Sequence, residues 1–319
     1  MKGISNYILA FKKLKRAHQH GGAPHKPILL LSLLEGVARG EITSNKIFIT
    51  PELILCFKEL WSKLVHSPHQ LNFALPFFHM QSESFWKLKC KEGQAFALTS
   101  SNSIKSLTAL NDALAYAEID EVLFIMMCDP IANGVLRKTL LQRYFPSANE
   151  VTTDYSLLRT IENQILHEDQ KQYKSNIEAL HEKLSQEEIE EDLFVRGSIF
   201  KREVPKMYNY TCAISGMRIV SVSNTQMVDA CHIKPFAESK DDTLGNGISL
   251  SPNFHRAFDR GLITISNDYK VIVSEHLVEN QTPYSLSQFN GQPILLPENK
   301  SNYPHIDSLE WHRINRFLK

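Results

Sequence analysis

Residues 229–261, DACHIKPFAESKDDTLGNGISLSPNFHRAFDRG, constrain this chain more than any other stretch. His232 is followed fourteen residues later by Asn246, and nine residues after that by His255. The pattern fits two antiparallel strands joined by a loop and followed by a short helix that ends at Gly261. Each residue type is replaceable alone, but the spaced set is hard to explain as core packing. It does match what in-line attack of water on a phosphodiester needs. His232 closes the apolar-rich MVDACHI, and a histidine titrates near neutrality, which suits it to act as general base. His255 can hold a divalent cation that acts as a Lewis acid on the phosphate and the leaving oxygen. Asp259 lies four residues on, so a helix puts both side chains on one face as a pair of ligands. Asn246, between Gly245 and Gly247, completes the catalytic set as a loop clamp whose amide bonds backbone. Beyond it, LITISNDYKVIVSE alternates like a hairpin turning at Asn267–Asp268.

These residues carry a resemblance. From about Tyr208 to Glu275 the chain resembles the HNH endonuclease family, in the branch with C-x-x-[ST]-G, A-x-H-I-x-P, N-G-x-x-L and H-x-x-F-D-x-G. Here those are Cys212–Gly216, Ala230–Pro235, Asn246–Leu250 and His255–Gly261. The resemblance implies a ββα-metal finger with His232 as base, Asn246 as loop residue and His255 as ligand to one divalent ion, magnesium or manganese. Many members carry Asp or His just before the base, where this chain has Cys231, a poor partner for a hard cation. Asp229, two residues earlier on the same strand face, is the expected substitute. Such fingers are often braced by zinc on two C-x-x-C pairs. Cys56, Cys90, Cys128, Cys212 and Cys231 form no such pair, and Ser215 and Ser251 stand where thiols are expected, so no structural zinc is expected.

The odd cysteine count, the lack of a secretory signal and the lack of a long apolar span predict a cytoplasmic protein with no membrane partner. The zero net charge conceals an asymmetry. Residues 1–150 carry 17 Lys and Arg against 12 Asp and Glu, whereas residues 151–195 carry 4 against 11. The first 34 residues contain no acid and include Lys12, Lys13, Lys15, Arg16 and Lys26, so nucleic-acid affinity is expected from the ends rather than the middle. Residues 154–195 lack Gly and Pro and place Leu157, Leu158, Ile161, Ile165 and Leu166 at helical spacing, which predicts one or two linker helices. Their apolar face either packs on its own chain or makes a homodimer.

The first 150 residues read as mainly helical with short strands. Helices are expected over ISNYILAFKKLKRA, ILLLSLLEGVARG, PELILCFKELWSKLV, SLTALNDALAYAEI and NGVLRKTLLQRYFP. NKIFIT is expected as a strand, and FALPFFHMQSESFWKLK as a strand-turn-strand. The segments PHKPILLLSLLEGVARGEI, PFFHMQSESFWKL and LLQRYFPSA are similar to the sulfur-binding domain of type IV restriction endonucleases, which recognise phosphorothioated DNA. That resemblance implies DNA contacts from His25, Lys26, His79 and Arg143, with a cup for sulfur at Tyr144, Phe145, Pro146 and Ala148. The expectation is therefore an α+β protein. It has a DNA-reading domain at 1–150, an acidic helical linker at 151–197 and an HNH finger domain at 198–319. Its expected activity is hydrolysis of double-stranded DNA, directed to phosphorothioates. The alternatives are a DNA-binding module with a silent finger, or an HNH restriction enzyme for methylated or unmodified DNA.

Overall fold

A computed structural model describes residues 3–93, 104, 106–148, 151–222 and 225–319. The protein is α+β and forms two compact units, Met1–Thr160 with Leu184–Val195, and Ile161–Lys183 with Arg196–Lys319. Residues 151–197, read from sequence as a linker, are thus divided between the units.

In the first unit the order is α1 (Ile4–Lys12), α2 (His25–Ala38), β1 (Lys46–Ile47), α3 (Pro51–Leu64), α4 (Ala74–His79), β2 (Trp86–Cys90), α5 (Leu107–Ala113), β3 (Leu114–Ile119), α6 (Glu121–Cys128) and α7 (Pro130–Tyr144). α2 is buried on all sides from Lys26 to Leu34, as a helix with apolar residues all round its middle must be. It packs against α3, α4, α6 and α7. β3 is the centre of an antiparallel sheet in the order β1-β3-β2, with Lys46 opposite Glu118 and Trp86 opposite Ile119.

Two sequence expectations fail here. FALPFFH is the helix α4, because Phe73, Ala74, Phe77 and Phe78 recur at helical spacing and all are buried, while the Asn72 carboxamide accepts from the Leu75 N–H in its first turn. SLTALNDALAYAEI is helical only to Ala113. LAYAEI then continues as β3, whose side chains at Leu114, Ala117 and Ile119 are buried. The helix α6 over EVLFIMMC was not anticipated.

The expected linker contains three helices, α8 (Ser156–His167), α9 (Gln170–His181) and α10 (Gln186–Met207). Ile161, Ile165, Tyr173 and Ile177 are buried within the chain, whereas Leu157 is exposed and Leu158 and Leu166 are half-buried. The second unit continues with β4 (Asp229–His232), α11 (Phe236–Ser239), β5 (Gly247–Leu250), α12 (Pro252–Asp259), β6 (Ile263–Ile265), β7 (Val271–Val273) and α13 (Ile306–Asn315). Cys231, Ile248, Leu250, Phe258, Ile263 and Leu309 are among the residues of one core that ties ribbon, helix and hairpin together. Among the described residues no helix is long and apolar enough to cross a membrane.

α13 is fixed by a buried histidine. His312 stacks on Phe258 with ring centroids 3.7 Å apart, donates from Nε2 to the Phe258 carbonyl at 3.0 Å, and accepts at Nδ1 from the Thr264 hydroxyl at 2.8 Å. Burial pushes its pKa down to about 4. The unfolded ring protonates near 6.5, so below that pH the unfolded state binds a proton that the folded state refuses. This contribution to stability is complete above pH 6.5, falls away between 6.5 and about 4, and amounts to roughly 3 kcal/mol. Melting curves from pH 7 to 4 should therefore show a shallower loss of stability for His312→Gln than for the wild type. Parallel slopes would show that the ring is not held neutral.

Candidate catalytic centre and nucleic-acid interface

β4 and β5 pair antiparallel, with Asp229 opposite Leu250, Cys231 opposite Ile248 and His232 opposite Gly247. Strand alternation sends Asp229 and Cys231 to one face of this ribbon and His232 to the other. α12 packs against both strands of the ribbon. The second face, at His232 and Gly247, receives Phe200 from α10. The rings of His232 and Phe200 lie parallel within 6°, with centroids 3.9 Å apart.

Gly247 makes this stacking possible. A Cβ there would lie 2.5 Å from a Val204 methyl and 3.0 Å from the Phe200 ring, both on α10. The His232 ring is further held at Nε2, 2.8 Å from Oδ1 of Asp242, whose side chain is only 3% exposed. Asn246 is fully buried and bonds backbone only. Its amide donates to the carbonyls of Lys234 and Asp241 at 2.9 and 3.0 Å, and its oxygen accepts from the Lys234 N–H at 2.9 Å. It thereby closes the loop that carries Asp242.

His255 lies on α12 between two carboxylates. Nδ1 is 3.2 Å from Asp229 and Nε2 is 3.4 Å from Asp259. A neutral imidazole has a single N–H, so only one of these contacts can be a hydrogen bond. The other brings lone pairs together, an arrangement that a bound cation, proton or metal, resolves. Cys231, His255 and Asp259 offer donor atoms within 4.8 Å of one another. The thiol, however, is fully buried, 3.9 Å from Asp259, and its pKa is pushed well up by burial first and by the Asp259 and Asp229 carboxylates second. A protonated sulfur under an oxygen-rich rim leaves His255, Asp259 and Asp229 as the donors that fit a hard cation. Where a zinc brace would place thiols, the Ser251 hydroxyl bonds the sulfur of Cys212 at 3.6 Å, and the Ser215 hydroxyl accepts from Met217 N–H at 3.3 Å.

The ribbon-loop-ribbon-helix frame and its histidine spacing coincide with a known pattern. The HNH endonuclease family model matches residues 212–266. Over these residues the chain is similar to that family. Two solved structures are similar to larger parts of the chain. The modification dependent TagI restriction endonuclease is 23% identical over 38% of this chain and 38% of its own, with a TM-score of 0.30. The type IV phosphorothioation-dependent restriction endonuclease ScoMcrA is 10% identical over 81% of this chain and 84% of its own, with a TM-score of 0.35. The chain thus spans less than half the length of the first. No curated protein is similar enough to match. His232 on β4, Asn246 in the loop and His255 on α12 all lie within the matched residues.

The residues expected at the DNA interface fall into two cavities of the first unit. Arg143, Tyr144, Phe145, Pro146 and Ala148 line one of about 490 Å³. His25, Lys26 and His79 line another of about 620 Å³. Arg16, noted from sequence only as one of several N-terminal bases, lines both, and its guanidinium sits 4.3 Å above the Tyr144 ring. The Tyr144 hydroxyl donates to the Phe11 carbonyl at 2.7 Å, which fixes the ring.

Two of the expected cations do not offer a free positive charge. Lys26 is buried and ion-paired with Glu83 at 2.5 Å, with Ser82 at 2.8 Å, so its charge is neutralised within the fold. His25 donates to the Gln70 carbonyl at 2.9 Å and packs on Trp61, and burial pulls its pKa down to about 4, so it is uncharged at neutral pH. The positive charge of the second cavity comes instead from Lys15 and Arg16.

The close approach at Gly247 yields a direct test. Gly247→Ala must push α10 away from the ribbon and should destabilise the second unit by about 1–3 kcal/mol, the usual cost of overpacking. Denaturant titration of the variant checks this. An unchanged midpoint would mean that the helix does not seat on the ribbon.

Proposed function

We propose that this chain is a DNA endonuclease of the cytoplasm that hydrolyses phosphodiesters in double-stranded DNA marked by phosphorothioate. One observation carries the nuclease reading. A histidine held at one nitrogen by a buried carboxylate ends the same ribbon that begins with Asp229, beside the His255–Asp259 helix. His232 takes a proton from water as its oxygen bonds to phosphorus, and the bond from phosphorus to the leaving oxygen breaks. His255, Asp259 and Asp229 are the residues to hold magnesium or manganese, which supplies Lewis acidity to the phosphate when bound. Asn246 keeps the loop closed and does not touch the reacting atoms.

The N-terminal unit supports the choice of target. A phosphorothioate sulfur is large, polarisable and weakly hydrated, so a cup of ring and methyl groups can prefer it to oxygen. Phe145, Pro146 and Ala148 supply such a cup, with the Arg16 and Arg143 cations beside it for the remaining phosphate charge.

Two experiments test these statements. His232→Ala should cut nicking of plasmid DNA in magnesium or manganese by about two to four orders of magnitude while leaving DNA binding in place, and chelation should abolish wild-type cutting. Wild-type cutting by that variant refutes the base, and a wild-type protein that binds DNA but never nicks it is a silent finger. For the reader, the protein should bind a stereodefined phosphorothioate duplex more tightly than its oxygen twin. Pro146→Ala or Ala148→Glu should erode that preference, whereas Arg16→Ala should weaken both duplexes by similar factors. Equal affinity for the two duplexes across stereoisomers and sequence contexts rejects sulfur reading and leaves the nuclease assignment standing.

A further inference from the structure

We propose that Asp242 and Phe200 are positioning residues that set the tautomer and the plane of His232. The inference rests on His232 being the general base. A carboxylate only accepts hydrogen bonds, so the 2.8 Å contact between Asp242 Oδ1 and His232 Nε2 places a proton on Nε2. The neutral ring then carries its lone pair at Nδ1, the nitrogen left to receive a proton from water. When that proton arrives, the ring keeps its bond to Asp242.

The plane of the ring is set independently. Phe200 covers one face at 3.9 Å, within 6° of parallel, and Gly247 directly across the ribbon leaves room for it. Tilting the imidazole would drive it into Phe200 and break the bond to Asp242 together.

Asp242 is itself fixed from both sides. The neighbouring Asp241 is fully buried; its carboxylate accepts from Thr243 N–H at 2.9 Å and from the Gln170 amide on α9 at 2.8 Å, and its carbonyl accepts from Asn246. The two adjacent acids therefore have separate roles. Asp241 locks the loop to α9, and Asp242 addresses the histidine. Neither Asp242 nor Phe200 lies in the cluster of His255, so their effect reaches the reaction only through His232.

Asp242→Asn tests this in the full-length protein. The carboxamide has the same shape but can donate to Nε2, which moves the ring proton to Nδ1 and removes the lone pair from the working nitrogen. The kcat for plasmid nicking should fall by about 10²- to 10⁴-fold, the scale set by the same exchange in a serine protease triad, with KM within about threefold of wild type. Nitrogen-15 NMR of the imidazole should show Nδ1 unprotonated in wild type and protonated in the variant. Asp242→Glu, which can still only accept, should recover at least about tenfold over Asn. Wild-type kcat in Asp242→Asn, or a loss of kcat with an unchanged tautomer, overturns the proposal. If Asp242→Asn does not fold, Asp242→Glu and Phe200→Leu decide. Both should keep KM and lower kcat, and wild-type kcat in both also overturns it. Full activity in His232→Ala would instead remove the base assignment on which the inference stands.

Discussion

The second unit depends on a side chain that is missing. With no Cβ at Gly247, α10 descends onto the ribbon until Val204 and Phe200 occupy the space that any other residue would fill. The ribbon is then covered on both faces, by α12 over Asp229 and Cys231 and by α10 over His232. A two-stranded ribbon alone is marginal in water, so this double cover is what makes four-residue strands stable enough to carry chemistry. The same contact orients the imidazole. The stability of the ribbon and the orientation of the His232 ring are therefore supplied by one packing event.

Acid chemistry is sorted by depth in this unit. Asp241 and Asp242 lie in the interior, where each meets hydrogen-bond donors, whereas Asp229 and Asp259 stay half exposed around His255. Burial raises the carboxyl pKa of Asp241, a cost offset by its bonds to Thr243 and Gln170. The exposed pair is open to solvent ions. Cys231, between the two layers, is kept as a thiol by the same burial.

Much of this centre was legible in the sequence because it is local. His232, Asn246, His255 and Asp259 lie within 28 residues, and strand and helix periods convert their spacing directly into position. The supporting residues were not legible. Asp241 and Asp242 are chemically identical neighbours, and only the turn decides which faces the histidine. Phe200 is separated from His232 by 32 residues and looks like any core aromatic of an amphipathic helix. In the first unit, short apolar runs such as ALPFFH and LAYAEI carry too few periods to separate helix from strand. The ion pair of Lys26 was illegible for a different reason. Its basicity is visible in the sequence, but its partner Glu83 is 57 residues away.

The helical layer changes what counts as a transferable part. The family pattern ends at residues 212 and 266, yet the ring that would take the proton is braced by Phe200 and, through Asp241, by Gln170, both upstream of that boundary. A gene fusion that moved only the recognisable motif would carry His232, Asn246 and His255 but leave behind the brace of the His232 ring. Recombination that preserves this packing must break before α9, well outside the motif by which the cassette is recognised.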